Sequence, residues 1–252
     1  MILARLSHAI RQQNWFAVVL EFVIVIAGVV IGFQITAWNE RQAERELGRT
    51  YQALIVGEIE RQRAAYERMI INAERIISEV EVVALAIDDP ESVRSDPDRF
   101  VSAVWFSRYR SFTDANRTIY DGMESSGRIA LIEDEAAVHE IRAFYRELAN
   151  WEAIMVNGWN PWSRYNISLE AYFTRAEIAA IIDARVSGEP HGLFTPDEAV
   201  DLAVRLQADE EVGRLVRSIE TRHYSVRILA REAIIETDAT LAALGRPQET
   251  AE

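Results

Sequence analysis

The sequence contains no cysteine, no lysine and only six prolines. Without cysteine there can be no disulfide scaffold, thiolate metal site, iron–sulfur cluster or thiol nucleophile, and the absence fits either redox compartment. The 27 basic residues are all arginine, which we read as coding composition rather than chemistry. Positive charge is itself scarce: 40 acidic residues leave a formal net charge of −13. No GxSxG, P-loop or dinucleotide glycine signature occurs, so no motif supports an enzyme or a resident cofactor. The first proline is Pro90, and nothing before it forbids one long helix.

Hydrophobic residues make up 49% of the 252 and charged residues 27%, the balance of a folded protein. Their distribution is uneven. Residues 16–37 form an apolar run of 22 positions with only Glu21, Gln34 and Thr36 clearly polar. At 1.5 Å per residue a helix of that length reaches ~33 Å, enough to cross the hydrocarbon core of a bilayer. Trp15 and Trp38 bracket the run where indole rings settle at headgroup layers, and its aliphatic content outweighs the off-centre glutamate. A cleaved signal peptide is the competing reading, since Ile35-Thr36-Ala37 loosely resembles a cleavage site, although the run is long for that role.

The charge divides with the hydropathy. Arg5, Arg11 and Glu21 precede residue 39, so 25 arginines and 39 acids, a net of −14, fall on the remainder. A surface of that sign repels nucleic acid and anionic lipid, which argues against nucleic acid as a partner. The expected topology is a single membrane pass with the amino terminus inside and the acidic part outside. Flanking arginines on both sides leave the orientation weakly specified.

On a helical wheel Asn14, Glu21, Gly28, Gly32 and Asn39 fall within about 20° of one line, with Ala17 beside it. Gly28-Val-Val-Ile-Gly32 is a GxxxG pair that admits another backbone closely, and the same face carries a carboxyl that lipid tolerates poorly. This face is therefore the candidate surface for packing on another transmembrane subunit, with self-association as a variant. Two opposed Glu21 carboxyls cannot both ionise in low dielectric, which favours a different partner over a second copy. The alternative is that Glu21 snorkels to the interface and the glycines carry no partner.

Beyond Trp38 helix formers continue, with Gly48 and Gly57 as expected bends, and Ile55, Ile59, Tyr66, Ile70, Ala73, Ile77, Val80, Ala84 and Ile87 trace one buried stripe to a stop at Asp88-Asp89-Pro90. Ser95-Asp96-Pro97 starts a helix, Thr113-Asp114 is expected to cap a short one ending near Met123, and Arg128–Ile132 reads as an extended link. An amphipathic helix follows from Ala137 to Met155, and others begin near Arg175 and at Thr195-Pro196-Asp197-Glu198. The last, from about Glu210 to Leu244, is long enough to lie antiparallel to the stripe at Tyr51–Ile87. No alternating run is long enough to found a sheet. The sequence thus predicts an all-α fold: a short tail over 1–13, a transmembrane helix over 14–38, a helical stalk over 39–60, an acidic antiparallel bundle over 61–245 and a disordered tail over 246–252.

Chemistry-bearing residues are sparse. Glu220-x-x-His223 is half of a di-metal carboxylate pattern, and Glu135 with His139 is a second weak pair; no metal is expected. His223 falls on the apolar stripe of the last helix, where a hydrogen-bonded core histidine competes with a proton-linked switch. Trp159, Trp162 and Arg164, on a turn rich in aromatics, are a candidate ligand pocket, with core packing as the simpler account.

The segment Gln13-Asn14-Trp15-Phe16-Ala17-Val18, with Glu21, Gly28, Gly32, Gln34 and Trp38-Asn39-Glu40, resembles a family of bacterial single-span membrane proteins of unknown function. Tyr120, Ser125-Ser126-Gly127 and Leu131-Ile132 form a second, shorter match. The resemblance implies a bacterial membrane location and a shared packing face. It implies no activity and no catalytic residue. The expected function is a membrane-anchored accessory or interaction protein that docks on another membrane subunit, with an extracytoplasmic sensor or ligand-binding bundle as the alternative.

Overall fold

A computed structural model describes residues 15–111, 115–157, 160–187 and 192–245. Eight α-helices occur among them, with no strand: α1 (Trp15–Asp88), α2 (Pro97–Phe106), α3 (Thr118–Ser125), α4 (Glu135–Asn157), α5 (Asn160–Glu170), α6 (Arg175–Ser187), α7 (Pro196–Ala208) and α8 (Glu210–Leu244). Two 3-10 turns, Pro90–Ser95 and Arg128–Leu131, join neighbours. The fold is all-α, as the sequence pattern predicts. The tails expected over 1–13 and 246–252 lie outside the described residues.

Helix α1 runs without a break for 74 residues because no proline interrupts it before Pro90. Neither Gly48 nor Gly57, the expected weak points, interrupts it. Gly48 has a different role: it is buried, and a Cβ there would collide with the carbonyl oxygen of Leu131, so only glycine lets the Arg128–Leu131 turn seat on α1. That turn also replaces the extended link expected there, because Gly127, at φ +70°, reverses the chain at the end of α3 and leaves room for only one tight turn.

The two longest helices form the spine. Arg63 meets Asp238 at 2.5 Å, Glu74 meets Arg231 at 3.1 Å and Tyr224 donates to Glu81 at 3.2 Å, so partner numbers fall along α8 as they rise along α1 and the pair is antiparallel. Their apolar stripes face each other: Val212, Val216, Ile219, His223, Val226, Ala230, Ala233 and Thr237 of α8 are all buried, as the spacing predicts. Ile55, Ile59, Tyr66, Ala73, Ile77 and Val80 of α1 are buried too, whereas Ile70, Ala84 and Ile87 are half-buried at its edge.

The buried residues separate into two cores along this spine. The proximal core, nearer the apolar run, joins Ile55, Ile59, Tyr66, Met69 and Ala73 of α1 to Ile141, Tyr145 and Leu148 of α4 and Val226, Ala230 and Ala233 of α8. The distal core joins Ile76, Val80 and Val83 of α1 to α2, α5, α6, α7 and the first half of α8, with Phe100, Trp105, Tyr165 and Phe173 as its largest members. Trp162 packs against both. Packing on α1 begins low: Arg45 pairs with Glu133 at 2.8 Å, and Gly48, Ile55 and Ile59 are already covered, within the segment expected to be a stalk.

Around the distal core, helix starts are capped by their own neighbourhoods. Asp96 accepts from Arg99 N at 3.0 Å, Asp209 accepts from Glu211 N and Val212 N at 3.0 and 3.1 Å, and Thr195 with Glu198 forms a full capping box before Pro196. Thr174 and Glu177 reciprocate in the same way at the start of α6. The proximal core differs at α3. Thr113 and Asp114, the expected cap, lie outside the described residues, and the helix begins later, at Thr118, with no side chain of its own on its first turn.

Candidate functional site

The apolar run occupies the first part of α1 and touches no other element. Its large side chains stand open, from Ile26 at 45% to Phe33 at 73% exposed, and none of its 18-residue window of highest hydropathy is buried. It is the one stretch among the described residues long and apolar enough to cross a membrane by length and composition. Continuous helical geometry puts Glu21, Gly28, Gly32 and Asn39 on one face, all exposed. A Cβ at Gly28 or Gly32 would meet nothing within 4 Å, so the groove these glycines create is unfilled within the chain. Thr36 satisfies its hydroxyl internally by donating to Gly32 O at 3.1 Å. Asn14 lies outside the described residues. Ala17 lies in α1, adjoining that face.

Just above the run, the short match around Tyr120 comes together with α1 in space. Glu58, fully buried, accepts hydrogen bonds from Ile119 N at 2.7 Å, Tyr120 N at 3.2 Å and the Tyr145 hydroxyl at 2.5 Å. Its carboxylate thereby caps α3 from another helix, a negative charge at a helix amino terminus. Gln62, one turn on, accepts from Asn116 N at 3.1 Å. Tyr120 stacks on Tyr145 with ring centroids 4.0 Å apart. Burial, and then the hydrogen bond to Glu58, hold the Tyr145 hydroxyl well above the ordinary phenol range. Arg128 donates to the Tyr51 hydroxyl at 2.8 Å, and Arg142 donates to Glu124 at 2.8 Å. The result is a collar of two short elements bolted to α1 beside its exposed apolar length.

Sequence reasoning missed Glu58 and Gln62. Their signal was present: both fall on the stripe of Ile55, Ile59, Tyr66 and Met69, where a charge at an apolar position marks a buried polar tie.

The remaining candidates separate. Trp162 is half-buried between the two cores and donates its indole N–H to Arg108 O at 2.5 Å, tying α5 to the end of α2. Arg164, on the same helix, is exposed and pairs with Glu211 of α8. Trp159 lies outside the described residues. His223 is fully buried at the junction of the cores, with Nδ1 2.9 Å from Ile219 O. Burial pushes its pKa down, partly offset by backbone contacts to Ile219 and Tyr109, so the neutral ring is the favoured form.

These features define a class: an all-α bundle continuous with an exposed apolar amino-terminal helix. No protein-family model, curated protein or solved structure matches the chain.

Proposed function

We propose that this protein is a membrane-anchored accessory protein of the bacterial inner membrane that docks on another membrane subunit through the Asn14, Ala17, Glu21, Gly28, Gly32 and Asn39 face. The observation that carries the proposal is the unfilled face of α1, where open glycines and a carboxyl share one line on an otherwise apolar, uncovered helix. In lipid a helix pair gains from close backbone approach at small residues, and a carboxyl finds its partner on a neighbouring helix. The resemblance to single-span bacterial membrane proteins supports the location. The bundle is placed on the periplasmic side by the same reading, and it extends the docked helix rigidly because α1 passes unbroken into both cores.

The test is a mild-detergent pull-down of tagged protein from native membranes, with the bound proteins identified by mass spectrometry. A stoichiometric membrane partner that is lost on Glu21→Leu, and on paired Gly28→Leu and Gly32→Leu, supports docking. Recovery of the protein alone, or a partner that survives all three substitutions, refutes it.

A second reading, an extracytoplasmic sensor or ligand-binding bundle, is favoured by the continuity of α1. A change in packing around Trp162, which touches both cores, has a straight helical path toward the apolar run.

A further inference from the structure

The outer face of α8 breaks the charge pattern of the molecule. In a chain of net charge −13, residues 212–227 hold four arginines and one glutamate. Arg214, Arg217 and Arg222 lie on a common arc of the helix, opposite its buried stripe. Two shallow cavities open there and share Ser218: one of about 340 Å³ between α5 and α8, lined by Pro161, Arg164, Glu211, Arg214 and Leu215, and one of about 450 Å³ lined by Arg217, Thr221, Arg222 and Ser225. Arg164 is held at one end by Glu211. Arg214, Arg217 and Arg222 form no salt bridge with any described residue, and the carboxylate felt by Arg214 is Asp209, already committed to capping α8. Arg217 and Arg222 thus flank one cavity with no salt-bridge partner among the described residues, and Arg214 adds a third guanidinium whose nearest carboxylate already caps the helix. Such an arrangement raises the local concentration of anions, and each planar fork matches a phosphate oxygen pair.

We propose that this groove binds a small soluble anion carrying several phosphate groups. A monoanion would satisfy one fork; three forks spread over eight residues, about 12 Å of helix, match several linked phosphates. Headgroups of the membrane that α1 enters are out of reach. Tyr224, at the groove's edge, pairs with Glu81, and Glu81 stands 44 residues, about 66 Å of straight helix, beyond Ala37 at the end of the apolar run. An acidic protein segment fits less well, because Leu215 is buried, Pro161 and Tyr224 are half-buried, and the Glu211 carboxylate that shares the first cavity repels a run of acidic side chains. The cavities are instead on the scale of small-molecule sites. The proposal is independent of the docking face on α1, so either can fail while the other stands.

The test uses the full chain in detergent, with inorganic tripolyphosphate as probe at fixed ionic strength, followed by thermal unfolding and by titration calorimetry. Tripolyphosphate is expected to raise the melting temperature in a concentration-dependent way and to bind at one site. Arg217→Gln with Arg222→Gln should weaken binding at least about tenfold; Arg217 is exposed, Arg222 is half-buried and neither forms a salt bridge with a described residue, so the free protein should keep its fold. Arg217→Lys with Arg222→Lys keeps the charge and loses the forks, and should weaken it by a smaller factor. Arg68→Gln, on α1, should leave binding intact. No binding, binding matched by chloride or sulfate at equal ionic strength, or binding unaffected by the groove substitutions overturns the proposal. Tighter binding of an acidic peptide than of tripolyphosphate also overturns it, in favour of a protein partner.

Discussion

The proximal and distal cores are built on the same two helices yet differ in one helix start: α3 is capped from another helix, whereas α4 and the distal helices are capped locally. Distal helices carry their own punctuation: Asp96, Thr174, Thr195 and Asp209 each cap the helix that follows within three residues. In the proximal core Asp134 does the same for α4, but the collar around α3 is closed by groups far apart in sequence. Glu58 caps a helix 61 residues away, Gln62 holds Asn116, Arg128 reaches back to Tyr51, and Gly48 admits Leu131. Local caps stabilise a helix wherever it lies. Long-range caps stabilise it only in place, so the collar beside the apolar helix owes its structure to α1 itself.

The substitution with the largest expected effect breaks the proximal mode. Glu58→Ala strands two backbone N–H groups and the buried Tyr145 hydroxyl, and should cost about 3–5 kcal/mol. Hydrogen exchange should rise across 115–132 while the amides of α7 keep their protection. Uniform loss of protection in both cores would show that the two modes are not separable.

A smaller change tests the distal mode. Asp209→Ala removes the cap of α8 and should cost about 1 kcal/mol in denaturant unfolding, with faster exchange limited to the first turn of that helix. A cost equal to that of Glu58→Ala would contradict the distinction between local and long-range caps.

The smallest effect is a titration at the junction. His223 has a pKa below its ordinary value of 6.5, so below pH 6.5 the unfolded chain binds the extra proton first. The stability present above that pH is therefore lost as pH falls through the window between the unfolded and folded values. Unfolding free energies measured from pH 7.5 downward should decline more steeply in this window than those of His223→Leu. Equal slopes for the two proteins would mean that the histidine contributes nothing to acid sensitivity.

Most of the helices were legible because their signals are local. Asp-Pro and Thr-Pro-Asp-Glu starts, a proline-free stretch before Pro90 and apolar spacings of three and four are written within a few residues of what they control. The start of α3 was misplaced for the complementary reason: its cap is on another helix. At the candidate docking face, wheel geometry alone aligned Glu21, Gly28 and Gly32, since a single straight helix needs no tertiary information. The arginines of α8 share one helix, but the cavity beside Arg214 could not be read from the sequence, because α5 forms its other wall and only packing brings Arg164 there.

The order of hydrophobic and polar residues therefore determined by itself that this chain is helical, that its first long helix has an apolar length, and that α1 and α8 have matching stripes. Tertiary structure alone decided that Gly48 is a contact rather than a bend, that Glu58 belongs to α3, and that the core divides in two around His223. The physical reason is range: periodicity and capping act over a few residues of backbone, whereas burial of a carboxylate or the close approach of a turn depends on which distant surface arrives to satisfy it.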